Sequence, residues 1–450
     1  MKRMAKEGRL RKLHRRDRSG FLKRVVPDHT WQDVNRCVNR TTDPRLRWST
    51  KHILLCWIIM GWSIQGQLTE RFREGFELLS CMFYRRRRCG GTYQGLTQAT
   101  QRVGMTVFVE FWCCLRQTIP KRVGAAWTWY GWTVFAVDGS RVDAPRTRRN
   151  ERSLGKAGRE KTHPQWWITR LIHLPTRMMW DWRQGPGNSS ERAHLREMIP
   201  SLPSSSLLVG DTGFGGFDML WQLSNGKVAF LVRCGGNTTL LVEETRQRIE
   251  RRGECCYVYL WPKNRRRHTP LRLRLIVLKR RGKRVYLLTN VLESPRLSRC
   301  MAGELYRARW GIEVEFRALK QTLARRKVLA KTPEPGAMEL AANILALALL
   351  LLYAALVMGA KVTRLSLAKI LRAVRRAMES IRHGQSCSQF VEQLLAAVGD
   401  EYVRRSSKRA RDWPHKKKER PPGSPILRRL RGREKARIYA VLTSHAGQLS

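Results

Sequence analysis

Four residues near position 310 have types and a spacing that could do chemistry. They are Tyr306, Arg309, Glu313 and Lys320, within Tyr306-Arg-Ala-Arg309-Trp-Gly-Ile-Glu313-Val-Glu-Phe-Arg-Ala-Leu-Lys320. Each residue of an α-helix advances about 100°, which puts Arg309, Glu313 and Lys320 at roughly 300°, 340° and 320° from Tyr306. All four then share one face about 60° wide. The face carries a carboxylate flanked by two cations and a phenol. It could hold a metal ion while gripping a phosphate backbone. An ordinary solvated helix with i,i+4 ion pairs would also carry such residues. Here Trp310, Ile312, Phe316 and Leu319 supply a separate apolar side, which frees the polar face for a partner.

Two aspartates each close a short apolar run: Val134-Phe-Ala-Val-Asp138-Gly139-Ser140 and Leu207-Leu-Val-Gly-Asp211-Thr212-Gly213-Phe214. Both runs read as buried strands, with the acid projecting into the crevice beyond the strand's carboxyl end. Either aspartate alone could merely begin a turn. With Glu313 they form a set in a consistent structural order.

The spacing Tyr-x2-Arg-x3-Glu-x6-Lys, the Arg-Trp-x-Ile-Glu core, Asp-Gly-Ser at the first acid and Asp-x-Gly-Phe at the second resemble the DDE-type transposases of bacterial insertion sequences, in the subgroup marked by this signature. The resemblance spans roughly residues 130 to 360. It implies an RNase H-like mixed-sheet core interrupted by a β-rich insertion. It also implies catalytic, metal-binding carboxylates at Asp138, Asp211 and Glu313. The activity implied is cleavage at transposon ends followed by strand transfer into target DNA. Hard oxygen ligands with few positions committed suit Mg²⁺, with Mn²⁺ as a substitute. Two such ions roughly 3.5–4 Å apart would activate a water or a DNA 3′-hydroxyl and stabilise the leaving oxygen. Tyr306, Arg309 and Lys320 are the expected phosphate contacts, with Arg141 beside the first acid. Relatives that cut through a DNA hairpin set an aromatic from the insertion against a flipped base, and Trp261 is the candidate for that position.

Composition points the same way. A formal net charge of +53 on 450 residues serves no small-metabolite enzyme and calls for a polyanionic partner. The eleven cysteines include no C-x2-C pair, which argues against a zinc module, and reduced thiols in a cytoplasmic protein fit best; the resemblance to insertion-sequence transposases implies a bacterial, nucleoid-associated one. No apolar stretch follows the basic N-terminus, so no signal peptide is read there. Residues 341–358 are apolar and as long as a membrane span, but Asn343 and the polar remainder favour a buried core helix and no membrane.

The chain divides into a basic arm (1–25), a helical DNA-binding domain (26–125), the first part of the core (130–235), the β-rich insertion (236–300), the rest of the core with C-terminal helices (301–400) and a basic tail (401–450). Phe72, Phe76, Leu79 and Phe83 mark one helix, and 95–118 reads as another. After a hairpin over 166–182, Ser189 or Ser190 caps a helix to Met198 with Glu191 in its first turn. Paired ends imply a homodimer. Two rivals remain from this reading: a nuclease of the same fold that cuts without joining, and a catalytically silent DNA-binding protein derived from a transposase.

Overall fold

The computed structural model describes residues 25–38, 47–83, 90–155, 163–280, 283–358, 366–383 and 422–446, with isolated positions between 385 and 396. Residues 1–24 of the expected basic arm, and 401–421 and 447–450 of the basic tail, lie outside these residues.

A ten-stranded mixed sheet organises the described chain. Its first half uses β1 (Thr133–Asp143), β2 (Gln165–His173), β3 (Met179–Pro186), β4 (Ser206–Gly210) and β5 (Ala229–Cys234). They lie in the order β3-β2-β1-β4-β5, with β1, β2 and β3 antiparallel and β1, β4 and β5 parallel. This is the RNase H-like arrangement, in an α/β chain. β4 and β5 are short and buried along both faces, as parallel strands covered by helices must be. Helix α8 (Glu191–Met198) precedes β4, and α9 (Phe217–Asn225) joins β4 to β5.

The β-rich stretch comprises β6 (Thr239–Val242), β7 (Glu254–Leu260), β8 (Leu271–Arg280) and β9 (Lys283–Thr289), with a helix α10 (Arg246–Arg252) that the sequence patterns did not indicate. These strands continue the central sheet, because β9 pairs antiparallel with β5. The tail returns as β10 (Ile426–Arg429), parallel to β6, followed by α15 (Gly432–Ala446). Glu434 fastens it, bonding Arg266 at 3.0 Å and Arg428 at 2.6 Å; the Arg428 hydrogen bond holds its carboxyl down at about 2.

Among the described residues six α-helices precede β1: α1 (Asp28–Cys37), α2 (Thr50–Trp62), α3 (Leu68–Met82), α4 (Tyr93–Val103), α5 (Thr106–Arg116) and α6 (Ile119–Val123); α7 (Arg148–Leu154) follows it. The single helix expected over 95–118 is two, parted at Gly104, whose φ of +93° suits glycine. α5 also covers the open edge of the sheet, since Trp112 and Arg116 both donate to the carbonyl of Trp180 on β3.

The apolar segment is the core helix α13 (Pro333–Met358). From Leu340 to Ala355 no residue is more than 3% exposed. It packs on α2, α5 and α14 (Leu367–Arg382). At the crossing with α2, Gly61 lies so close that a Cβ there would be 2.6 Å from that of Ala346. Arg325 stitches the same region by donating to the carbonyls of Met60, Gly61 and Ser63, the open end of α2. The N-terminal helices and the C-terminal helices therefore share one core with the face of the sheet that carries Val134, Ala136, Leu207 and Val209.

Candidate active site

β1 and β4 run parallel with Ala136 opposite Val209. Continuing that register by two residues sets Asp138 beside Asp211. Alternation puts both on the face of Ala136 and Val209, toward the helices of the shared core. Asp211 follows the last residue of β4, as the sequence pattern predicts. Asp138 instead lies within β1, which continues to Asp143 against β2. The crevice forms there because the parallel partner β4 stops at Gly210 while β1 goes on.

The signature segment is α11 (Arg299–Ala308), α12 (Gly311–Arg317) and a π-helical turn, Ala318–Thr322. The helix expected to carry Tyr306 to Lys320 on one face is thus interrupted at Arg309 and Trp310 and widened at its end. π-turns of this kind recur at functional sites. Despite the interruption the four signature residues converge on the strand ends. The Tyr306 hydroxyl donates to Asp211 Oδ1 at 3.3 Å. Arg309 lies 3.5 Å from Asp211 Oδ2 and 3.6 Å from Glu313 Oε1, with a side chain only 6% exposed. Lys320 Nζ donates to Ser140 Oγ at 2.7 Å, two residues beyond Asp138. Arg309, expected to meet phosphate, therefore faces carboxylates and bridges two of the three acids.

On the opposite side of this segment Ile312, Phe316 and Leu319 are buried, as expected, but Trp310, in the break between the two helices, is 60% exposed. Glu315, fully buried, receives Arg177 at 2.8 Å. Arg170, cross-strand from Asp138, is buried over the Phe316 ring. This buried charge layer ties α12 to β2 and fixes the rotation that turns Glu313 toward Asp138 and Asp211.

Electrostatics reflect the crowding of acids. Burial raises the Asp138 carboxyl above its ordinary value, and Glu313 and Asp211 add to the rise against the opposing Gly139 N–H and Arg309. Burial lowers the Lys320 ammonium, with Asp143 opposing. Burial and Asp211 raise the Tyr306 phenol. Among the described residues no three Asp, Glu, His or Cys side chains are drawn together enough to share one cation.

Two neighbours of the site have no signal in the spacing patterns. Gly139, after Asp138, is roofed by Trp167: a Cβ would lie 2.4 Å from its Cζ2. Trp167 in turn donates to Thr169 Oγ1 at 3.0 Å and carries the Arg141 guanidinium 4.5 Å from its ring centroid. Arg141 is exposed, as a DNA contact needs to be. The second neighbour is Glu191, whose carboxylate reaches over both Gly139 and Gly213.

Trp261 does not meet the expectation for a base-stacking aromatic. It is 3% exposed, its Nε1 donates to the His268 carbonyl, and Arg266 and Arg437 lie 4.3 and 5.1 Å from its ring centroid. The indole is buried because the returning tail covers it. It lines instead a cavity of about 550 Å³ that reaches Thr212 and is edged by Arg192, Lys263, Arg266 and Arg428. In the turn at 265–267, Arg265 pairs with Asp218 and Arg266 with Glu434, so these two cations face carboxylates.

The sequence profile of the transposase DDE domain family matches residues 129–351, a span that contains Asp138, Asp211 and Glu313. The transposase InsG of insertion sequence element IS4 from Escherichia coli K12 is 25% identical over 313 residues, covering 65% of this chain and 69% of that protein. The putative transposase InsZ of the same organism is 27% identical over 136 residues, covering 29% and 44%. A piggyBac transposase synaptic complex with hairpin DNA aligns over 85% of this chain and 82% of that one, at 11% identity and a TM-score of 0.44. Residues 129–351 are thus matched as a transposase DDE domain, in a chain similar to the transposases of bacterial insertion sequences.

Proposed function

We propose that this transposase cleaves transposon ends and joins them to target DNA by phosphoryl transfer at Asp138, Asp211 and Glu313. The observation that carries this reading is the convergence of Tyr306, Arg309 and Lys320 on the ends of the strands that bear the two aspartates. A merely amphipathic helix would have no reason to aim all three there.

The donor set fits a hard divalent cation. Every candidate ligand is a carboxylate, and the repulsion of Asp138 by Glu313 and Asp211 is what a cation would relieve. Asp138, Asp211 and Glu313 would hold Mg²⁺ or Mn²⁺, which when bound lowers the pKa of the attacking hydroxyl and stabilises the leaving oxygen. The chain's own groups do the rest. Asp138 and Asp211 are each oriented by a following backbone N–H, from Gly139 and Thr212, both at 2.8 Å. Lys320 and Ser140 form a donor pair at the rim, suited to a phosphate oxygen. Arg309 would exchange its carboxylates for phosphate when DNA arrives. Trp310, exposed in the break between α11 and α12, would offer its indole face to a base in place of the buried Trp261.

DNA backbone finds a cationic shelf next to Lys320. Arg141, Arg148 and Arg149 lie beside Arg326, Lys327 and Lys331, all exposed. The two segments are joined where Asp143 N bonds the Arg326 carbonyl, Val328 N the Asp143 carbonyl, and Thr147 Oγ1 the Lys331 carbonyl. Residues 26–125 and the basic arm and tail supply the remaining DNA contacts, and two copies act together on paired ends at the bacterial nucleoid.

The test incubates the purified chain and Mg²⁺ with DNA carrying the ends that flank its gene, beside Glu313→Gln. Cleavage at the ends plus joined products, both lost in the variant, is the expected result. Cleavage without joining would assign a nuclease. Equal binding with no cleavage by either protein in Mg²⁺ or Mn²⁺ would leave a DNA-binding protein.

A further inference from the structure

Glu191 opens α8. Ser190 caps the helix by accepting from Ala193 N, so the carboxylate of Glu191 sits at the positive end of the peptide dipoles. Its two oxygens lie over two glycines. A Cβ on Gly139 would be 2.9 Å from Oε2, and a Cβ on Gly213 would be 2.8 Å from Oε1. Gly139 follows Asp138, and Gly213 is two residues beyond Asp211. The glycine that follows each catalytic aspartate thus gives up a side chain at the spot where Glu191 enters.

The adjacent cation makes no direct bond to it: Arg192 turns its Nε to the Gly213 carbonyl at 2.5 Å, and no hydrogen bond or ion pair to Glu191 exists among the described residues. Burial and the repulsion of Asp138 and Asp211 raise the Glu191 carboxyl, against the more distant attraction of Arg192 and Arg141. A favourable helix end explains a carboxylate at this position of α8. It does not explain why that carboxylate is held against two others, or why both glycines make room for it.

We propose that Glu191 is a fourth carboxylate of the active site, supplying a ligand oxygen to the divalent cation held by Asp138 and Asp211. The inference rests on the metal-dependent reading of the site given above. The site then has four acids. The returning helix brings Glu313, and α8 brings Glu191 from the opposite direction along the chain. The sheet register makes neighbours of Asp138 and Asp211, and the other two acids arrive on helices.

Manganese binding to the full-length protein, followed by the loss of the free Mn²⁺ electron paramagnetic resonance signal up to millimolar metal, tests both levels. Wild type, Asp138→Asn, Glu191→Gln and Glu197→Gln are compared, with melting temperatures recorded for each. Glu197 is on the same helix but bonds Arg183 at the surface, so it controls for changes to α8. The expected result is that Asp138→Asn abolishes the site, Glu191→Gln weakens it roughly 10–100-fold at an unchanged melting temperature, and Glu197→Gln leaves it intact. Glu191→Asp, which keeps the charge on a shorter stem, should recover part of the loss. No binding by the wild type, or equal binding by Asp138→Asn, would overturn the metal-dependent reading itself. Loss in Asp138→Asn with wild-type affinity in Glu191→Gln would overturn the Glu191 assignment alone. A lower melting temperature in Glu191→Gln with unchanged Mn²⁺ affinity would reduce Glu191 to a helix-end charge.

Discussion

The tightest tolerance at the site is at Gly139, and adding one methyl group there measures it. In Gly139→Ala the new Cβ would lie 2.4 Å from Trp167 Cζ2 and 2.9 Å from both Trp167 Cε2 and Glu191 Oε2. Comfortable carbon contacts begin near 3.5 Å, so the indole or the strand must yield by about 1 Å. The indole is not free to do so. Its Nε1 is bonded to Thr169 Oγ1, which is itself 3.0 Å from His194 Nδ1, and Arg141 lies over its ring. Part of the displacement therefore passes to β1 and to Asp138. Overpacking of this kind costs about 1–3 kcal/mol, and a shift of about 1 Å in a reacting group costs on the order of 100-fold in rate. Urea denaturation should show the first loss and end-cleavage kinetics the second, while gel-shift affinity for DNA changes little. Trp167→Leu in the same chain removes the clashing ring, so the double variant should cleave at nearly the rate of Trp167→Leu alone. A double variant no faster than Gly139→Ala, or a Gly139→Ala protein with wild-type rate and stability, would refute the reasoning.

Three other outcomes are expected. Arg309→Gln leaves Asp211 and Glu313 without their shared cation, so it should lose about 1–3 kcal/mol in metal-free buffer and gain more than wild type from added Mg²⁺; equal Mg²⁺ gains by thermal denaturation would count against the bridge. Asp138 has its folded-state carboxyl raised mainly by burial, so its contribution to stability is present below the ordinary value of 3.8 and is lost as pH rises through the folded value. Metal-free Asp138→Asn should therefore be more stable than wild type at neutral pH, with the gap closing toward pH 4, and a gap independent of pH in urea titrations would contradict the assignment. Trp310→Ala, at a 60% exposed position, should change stability by no more than about 0.5 kcal/mol yet slow end cleavage, and an unaltered cleavage rate would remove Trp310 from the DNA-facing surface.

Much of the core was legible in the residues because its signals are local. Val134–Val137 and Leu207–Gly210 are apolar runs that stop at an acid, and the face of Tyr306, Arg309, Glu313 and Lys320 follows from helical spacing. Burial of α13 was legible from Asn343 and the polar remainder of the chain. What escaped depends on contacts far apart in sequence. The signature helix is interrupted at Arg309 and Trp310 and Trp310 is exposed, whereas periodicity assigned it to the apolar side. Glu191 looked like a helix-start acid, and only the register of β1 against β4 brings it to two glycines 74 residues apart. Trp261 could not be told from an exposed aromatic until β10 and α15 were seen to return over it. Glu315, two residues from Glu313, reads as one more surface charge until Arg177 and Arg170 are found beneath it.

The return of β10 has a consequence for how the chain comes to be folded. Leu240, Leu241 and Val242 of β6 are buried, and β10 is the strand that closes the edge they stand on. β10 is synthesised long after β6, so during translation the sheet presents an unpaired, apolar edge to every neighbouring nascent chain. Solubility of the transposase is therefore decided late, by Ile426–Arg429 reaching their place before a strand from another molecule does. Chains shortened before residue 426 should accumulate as aggregates even though every acid of the site is present, which makes the tail a determinant of yield separate from the chemistry.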